Sequence, residues 1–121
     1  MREILFRAKK KEDGQWMFGF PIRVYEYGGE IWTMCPFNTM FEVEEPVIPK
    51  TIGQYTGLKD KNGQKIFEGD IVEIDGIVYE CCWDSCNFEF GLVNKRESFG
   101  IAYAAHSRKI IGNIHDNPEL I

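Results

Sequence analysis

The sequence predicts a mostly β protein, a small barrel or sandwich carrying an extra N-terminal lobe of strands. Three observations carry this. Apolar and polar residues alternate over short runs, the pattern of a half-buried strand. Gly, Asn, Asp and Pro interrupt these runs at intervals of about 8–12 residues, as in small all-β domains. Helical periodicity is nearly absent. The 121 residues are 44% apolar and include 17 aromatics, enough for one cored domain with a small lobe and too apolar for a disordered chain.

The elements follow in order. Ile4-Leu5-Phe6-Arg7-Ala8 reads as the first strand. Lys9-Lys10-Lys11-Glu12-Asp13-Gly14 is a polar turn whose Asp-Gly pair favours a tight reversal. Gln15 to Phe20 forms the return strand. Ile22 to Glu26 and Ile31 to Met34 flank Tyr27-Gly28-Gly29-Glu30, a second hairpin. Residues 36–50 change character, with Pro36, Pro46 and Pro49 among Glu42, Glu44 and Glu45. Proline cannot donate to a ladder, so this stretch is a connection holding one short strand. It divides an N-terminal β-hairpin lobe at residues 1–48 from a barrel at 49–121. The lobe is too small to bury a stable core alone, so it must pack on the barrel or on a neighbouring subunit.

In the second part, Asn62-Gly63, Glu68-Gly69-Asp70 and Asp75-Gly76 mark turns. Ile71 to Ile74, Ile77 to Trp83 and Phe88 to Val93 read as strands, with Phe88, Phe90 and Leu92 on one face. Lys109 to Ile114 is the last strand. Ile101 to His106 is the single helix candidate.

The run Thr51-Ile-Gly-Gln-Tyr-Thr-Gly-Leu-Lys-Asp-Lys-Asn-Gly-Gln-Lys-Ile-Phe-Glu-Gly-Asp-Ile-Val72 resembles the core signature of the YopX family. Phe6-Arg7-Ala8 with Trp16 and Gly19 resembles its start, and Ile111-Gly-Asn-Ile-His-Asp-Asn-Pro-Glu-Leu120 its end. The resemblance implies an SH3-like barrel in the C-terminal part, homo-oligomers, and a phage or prophage accessory protein of low-GC Gram-positive bacteria. It carries over no catalytic residues. Physically, most signature residues have structural jobs: glycines in turns, Tyr55 and Phe67 burying their rings, and Asp70 accepting from its own turn.

The formal charge is −5, which argues against a dedicated DNA binder. Its distribution is uneven. Residues 1–25 are net +3 and the remainder net −8, an asymmetry suited to steering one subunit onto the next. No apolar run reaches the ~20 residues of a membrane span, and the early charges of Arg2 and Glu3 leave no room for a signal-peptide core. The expected location is the cytoplasm of a bacterial host.

Two clusters are candidate binding residues. Arg7, Lys9, Lys10, Lys11 and Trp16 form a basic aromatic region with Phe18, Phe20 and Tyr25 close by. Lys59, Lys61 and Lys65 surround the Asn62-Gly63 turn and could meet an anion, although Asp60, Glu68 and Asp70 dilute their charge. Cys82 and Cys86 have a spacing that zinc accepts, with Cys81, Cys35, His106 or His115 available to complete a set. However, Cys81 and Cys82 should point to opposite faces of one strand, no second paired motif exists, and cysteine is a common core residue. No metal or cofactor is expected. Ser85 or Ser98, His106 and Asp84 lack a nucleophile elbow, and no phosphate-binding glycine loop is present. The reading is therefore a non-enzymatic, self-associating module that contacts its own copies and a phage or host protein. A nucleic-acid module using the basic aromatic region is the alternative, and a zinc protein or enzyme comes last.

Overall fold

The structure, a computed structural model, describes residues 3–26, 28–36, 44–102 and 107–121. Among these, strands dominate, and helix is limited to the single 3₁₀ turns Pro49–Thr51 and Pro118–Leu120. No helix among the described residues is long and apolar enough to cross a membrane. The chain divides into two compact units, residues 1–54 and 55–121.

In the first unit, strands β1 (Phe6–Lys9), β2 (Trp16–Glu26), β3 (Gly29–Pro36) and β4 (Glu45–Pro46) pair antiparallel in the order β4-β3-β2-β1. The free side of β1 takes Gly53 and Gln54, the first residues of β5 (Gly53–Lys59). The β1–β2 turn forms at Asp13-Gly14, where the Asp13 carboxylate accepts the Gln15 N–H at 2.9 Å. The two strands expected between Gln15 and Glu26 are one, and β2 runs through Pro21. β1 ends its pairing at Gly19, so among the described residues Pro21 is paired on the β3 side alone. That is the sheet position that tolerates proline. Tyr27 and residues 37–43, the latter within the Pro- and Glu-rich connection, lie outside the described residues; the later part of that connection holds β4, and Val47 bridges to Lys10. The core of this unit is Ala8, Met34 and Val47, with Phe6, Met17, Trp32 and Ile52 against them.

The second unit contains the rest of β5, then β6 (Lys65–Phe67), β7 (Asp70–Ile74), β8 (Ile77–Asp84), β9 (Glu89–Val93), β10 (Ser98–Gly100) and β11 (Lys109–Asn113). The last five form an antiparallel sheet in the order β10-β9-β8-β7-β11. The closed barrel that the sequence suggests is not formed among the described residues. β10 is three residues long, and β11 pairs with β7 through a register shift between Ile110 and Gly112, so both remain sheet edges. Gly69, at φ +90°, turns the chain from β6 into β7; its N–H donates to the Cys81 carbonyl at 2.9 Å and its carbonyl accepts from Ile114 at 2.8 Å. The alternation of β7, β8 and β9 points Val72, Ile74, Tyr79, Cys81, Phe90 and Leu92 into one core with Ile66 and Ile101. Tyr55 and Phe67 are buried cross-strand partners with ring centroids 5.6 Å apart.

Phe88 departs from its expected place. It is 81% exposed with φ +53° and precedes β9, while Phe90 and Leu92 do face the core. The cause is local. Asp84 accepts the N–H groups of Cys86 and Asn87 and the Asn87 side-chain amide, building a turn that leaves Phe88 at its exit. Of the helix candidate, Ile101 and Ala102 lie in a turn and residues 103–106 lie outside the described residues.

Candidate functional site

Strand alternation gives the first unit a sheet with two apolar faces. One carries Ala8, Met17 and Met34 into the core. The other carries Trp16, Phe18, Phe20 and Ile22, each two residues from the next. The register sets Lys9 opposite Trp16, Arg7 opposite Phe18, Cys35 opposite Phe20 and Thr33 opposite Ile22. Phe18, Phe20 and Ile22 are 47%, 40% and 37% exposed. The Arg7 guanidinium is buried and lies 4.2 Å from the Trp16 ring centroid, and the Lys9 ammonium lies 5.3 Å from it. Both distances are within cation–π range.

The five basic and aromatic candidates of this region therefore separate. Arg7, Lys9 and Trp16 gather on the sheet face. Lys10 and Lys11 leave it for the β1–β2 turn, where Lys10 pairs with Asp13 at 3.5 Å. The sequence places Phe18 and Phe20 beside the basic region as core or interface anchors without deciding between the two, and Ile22 joins them only in the structure. The signal for the stripe was present: from Trp16 to Ile22 apolar residues or glycine and proline occupy both alternating sets, which one core cannot absorb.

The second lysine cluster stays together. Lys59 and Lys65 are directly opposed on β5 and β6, with Lys61 in the turn between them. The Lys65 ammonium lies 5.4 Å from the Tyr55 ring centroid. Two of the three neighbouring acids turn inward, and Glu68 stays half-buried. Asp60 is buried; its Oδ1 accepts from Asn62 and Gln64 at 2.8 and 2.9 Å and its Oδ2 from Ile110 at 3.1 Å. Burial pushes the Asp60 carboxyl up, but these three donors and the charge of Arg108 outweigh it and hold it below the usual carboxylate range. Asp70 is buried and accepts from Phe67 at 2.7 Å.

Arg108, which sequence reasoning missed, braces the same turn. It donates to the Lys59 carbonyl through Nε and Nη2, at 3.2 and 3.1 Å, and to the Ile101 carbonyl through Nη1 at 2.7 Å. Burial pulls its guanidinium down from the usual arginine range, and the Asp60 charge offsets part of that shift. No sequence signal marks Arg108, because its partner is 49 residues away.

The cysteines do not converge. All are free thiols; Cys81 is in the core, Cys82 is half-buried on the other face of β8, and Cys86 is exposed. Burial pushes the Cys82 thiol up, and Glu80, Asp84 and Glu68 push it further, which opposes the thiolate that a metal ligand or nucleophile needs. Among the described residues no group of three or more His, Cys, Asp and Glu is placed to hold a metal. Asp84, Ser85 and Ser98 line a groove of about 330 Å³, but the oxygens of Asp84 serve its own turn, and His106 lies outside the described residues. A second groove, of about 1000 Å³, is lined by Ile77, Lys95, Arg96, Leu120 and Ile121 among others.

The sequence model of the family described as YopX protein matches residues 5–121, nearly the whole chain. The chain belongs to the YopX family. A solved relative in fold is protein EF1440 from Enterococcus faecalis, known from its crystal structure. It is 26% identical, with 99% of each chain covered and a TM-score of 0.59. No curated protein matches the sequence significantly.

Proposed function

We propose that this YopX-family protein acts by contact and has no chemistry of its own: a self-associating binding module, and a phage or prophage accessory protein in the host cytoplasm. The observation that carries the reading is the line of Phe18, Phe20 and Ile22, exposed on one sheet face beside Arg7 and Lys9. Burying a large apolar side chain contributes about 1.5–3 kcal/mol. A two-fold contact uses the same stripe twice. Phe18, Phe20 and Ile22 are 37–47% exposed, so covering each contributes about 1 kcal/mol, and the six together offset several kcal/mol of the cost of association, which favours a weak dimer. The SH3-like reading of residues 49–121 belongs to the same proposal. Its support is the order β10-β9-β8-β7-β11, a meander whose last strand returns beside its first.

The nucleic-acid alternative needs aromatic faces for bases. It is weakened at Trp16, where Arg7 and Lys9 already lie over the ring. Light scattering on the full chain at tens of micromolar tests the proposal. The expected mass is at least twice the 14.1 kDa of one chain, and a Phe18→Ser/Phe20→Ser variant should return to the single-chain mass. A parent protein that remains at the single-chain mass throughout that range removes the self-association reading.

A further inference from the structure

We infer that the β5–β6 hairpin is a phosphate-binding site, formed by Lys59, Lys61 and Lys65 and joined by Lys109. This is independent of the aromatic face and of self-association. Four observations support it.

Lys59 and Lys65 are directly opposed across the hairpin, and like charges in that arrangement destabilise a strand pair. A fold selected for stability alone would place an acid at one of the two positions. Second, two of the three acids that dilute the lysines in the sequence do not do so on the surface, and the third, Glu68, is half-buried beyond β6. Asp60 and Asp70 are buried, with oxygens engaged by backbone N–H groups. Lys59 and Lys61 are exposed and form no ion pair among the described residues.

Third, the turn is braced. Asp60 ties Asn62 and Gln64 to β11 through Ile110, and Arg108 holds the Lys59 carbonyl with two N–H groups. A rigid turn loses little entropy when its charges meet a ligand. Fourth, the Lys61 N–H donates to the Arg108 carbonyl at 2.9 Å, which brings the exposed Lys109 next to Lys61. The acid opposite Lys109 is Glu73 on β7, so the cluster keeps an excess of positive charge. Flexible ammonium groups on a fixed turn suit phosphate oxygens, whether along a nucleic-acid strand or in a small polyphosphate.

The test is fluorescence anisotropy of the full chain with a labelled single-stranded oligonucleotide, and calorimetry with inorganic tripolyphosphate. Three to four phosphate contacts, at a slope of about 0.7 per contact for a single strand, predict oligonucleotide binding that weakens about 20- to 50-fold between 50 and 200 mM salt. Lys59→Ala/Lys61→Ala/Lys65→Ala should weaken binding at least tenfold and flatten the salt dependence. Lys59→Glu carries the test if the triple variant misfolds. It creates an opposite-charge pair with Lys65, so it should raise the melting temperature by about 1–2 °C while weakening binding. A merely structural role would not give that divergence. Oligonucleotide binding assigns the site to a strand, and tripolyphosphate binding alone assigns it to small phosphates. If neither probe binds at 50 mM salt, or if the variants bind within twofold of the parent, the inference is overturned.

Discussion

In the second unit, the inward set of β6 to β9 builds the larger core, with Ile66, Val72, Cys81 and Leu92 fully buried beside Tyr79 and Phe90, and the exposed Ile77 and Trp83 stand near opposite ends of β8 rather than in a line. In the first unit, β2 spends Phe18, Phe20 and Ile22 on the face away from the core, and the fully or nearly fully buried set shrinks to Ala8, Met34 and Val47. Both units are made of antiparallel strands with similar turns, so the contrast comes from which alternating set is apolar. One set makes a stability core. Two sets make a core and a surface that costs solubility unless another surface covers it.

The largest expected effect breaks the comparison at its stronger side. Leu92→Ala should destabilise by about 3–5 kcal/mol, the range for truncating a buried leucine in a well-packed core. Met34→Ala, in the smaller cluster, should cost about 2–3 kcal/mol, since that site relaxes more easily. Urea unfolding checks both. A Leu92→Ala variant within 1 kcal/mol of its parent would show that the second core is not the tighter one.

The next effect tests the charged brace of Asp60 and Arg108, where the first unit uses the neutral Thr51 hydroxyl, which accepts from Lys9 and donates to Ile48. Asp60→Asn should cost about 2–3 kcal/mol at pH 7, by removing the charge that faces Arg108 and weakening the accepted N–H bonds. The sign of its pH dependence follows from the lowered carboxyl of Asp60. Its stabilising contribution is complete above the unfolded-state value of about 3.9 and is lost as the pH falls through the folded-state value. The gap between parent and Asp60→Asn should therefore narrow below about pH 4. Denaturant midpoints at pH 7 and pH 3 report this, and a gap of constant size rules out Asp60 as the titrating brace.

The smallest stability effect sharpens the comparison from the other side. Phe18→Ser/Phe20→Ser should lower the unfolding free energy of the dissociated chain by about 1–2 kcal/mol, because each ring is only partly covered in the single chain. The same change should abolish self-association. A loss of several kcal/mol in dilute protein would place those rings in a core instead.

Much of the fold was legible because its determinants are local. Asp13-Gly14, Asn62-Gly63 and Asp75-Gly76 make turns through their own backbone preferences and side-chain acceptors. The alternation of Val72, Ile74, Tyr79 and Cys81 is visible in the letters and buried in the fold. Phe88 was misread because its alternation continues past the point where the Asp84 turn releases the chain. The candidate sites were half legible. Lys59, Lys61 and Lys65 could be grouped from their spacing, yet their acidic neighbours appeared to cancel them until Asp60 and Asp70 were seen to face inward.

Strand identity, turn positions and family membership can all be read from neighbours a few residues apart, since alternation and turn chemistry act over that range. Which face of β2 meets the core, whether the sheet closes, and how Arg108 and Ile110 come to hold a turn some 50 residues earlier in the chain cannot be read that way. Those outcomes depend on pairing between distant segments. That pairing is settled by the total surface buried and the polar groups satisfied when the whole chain packs.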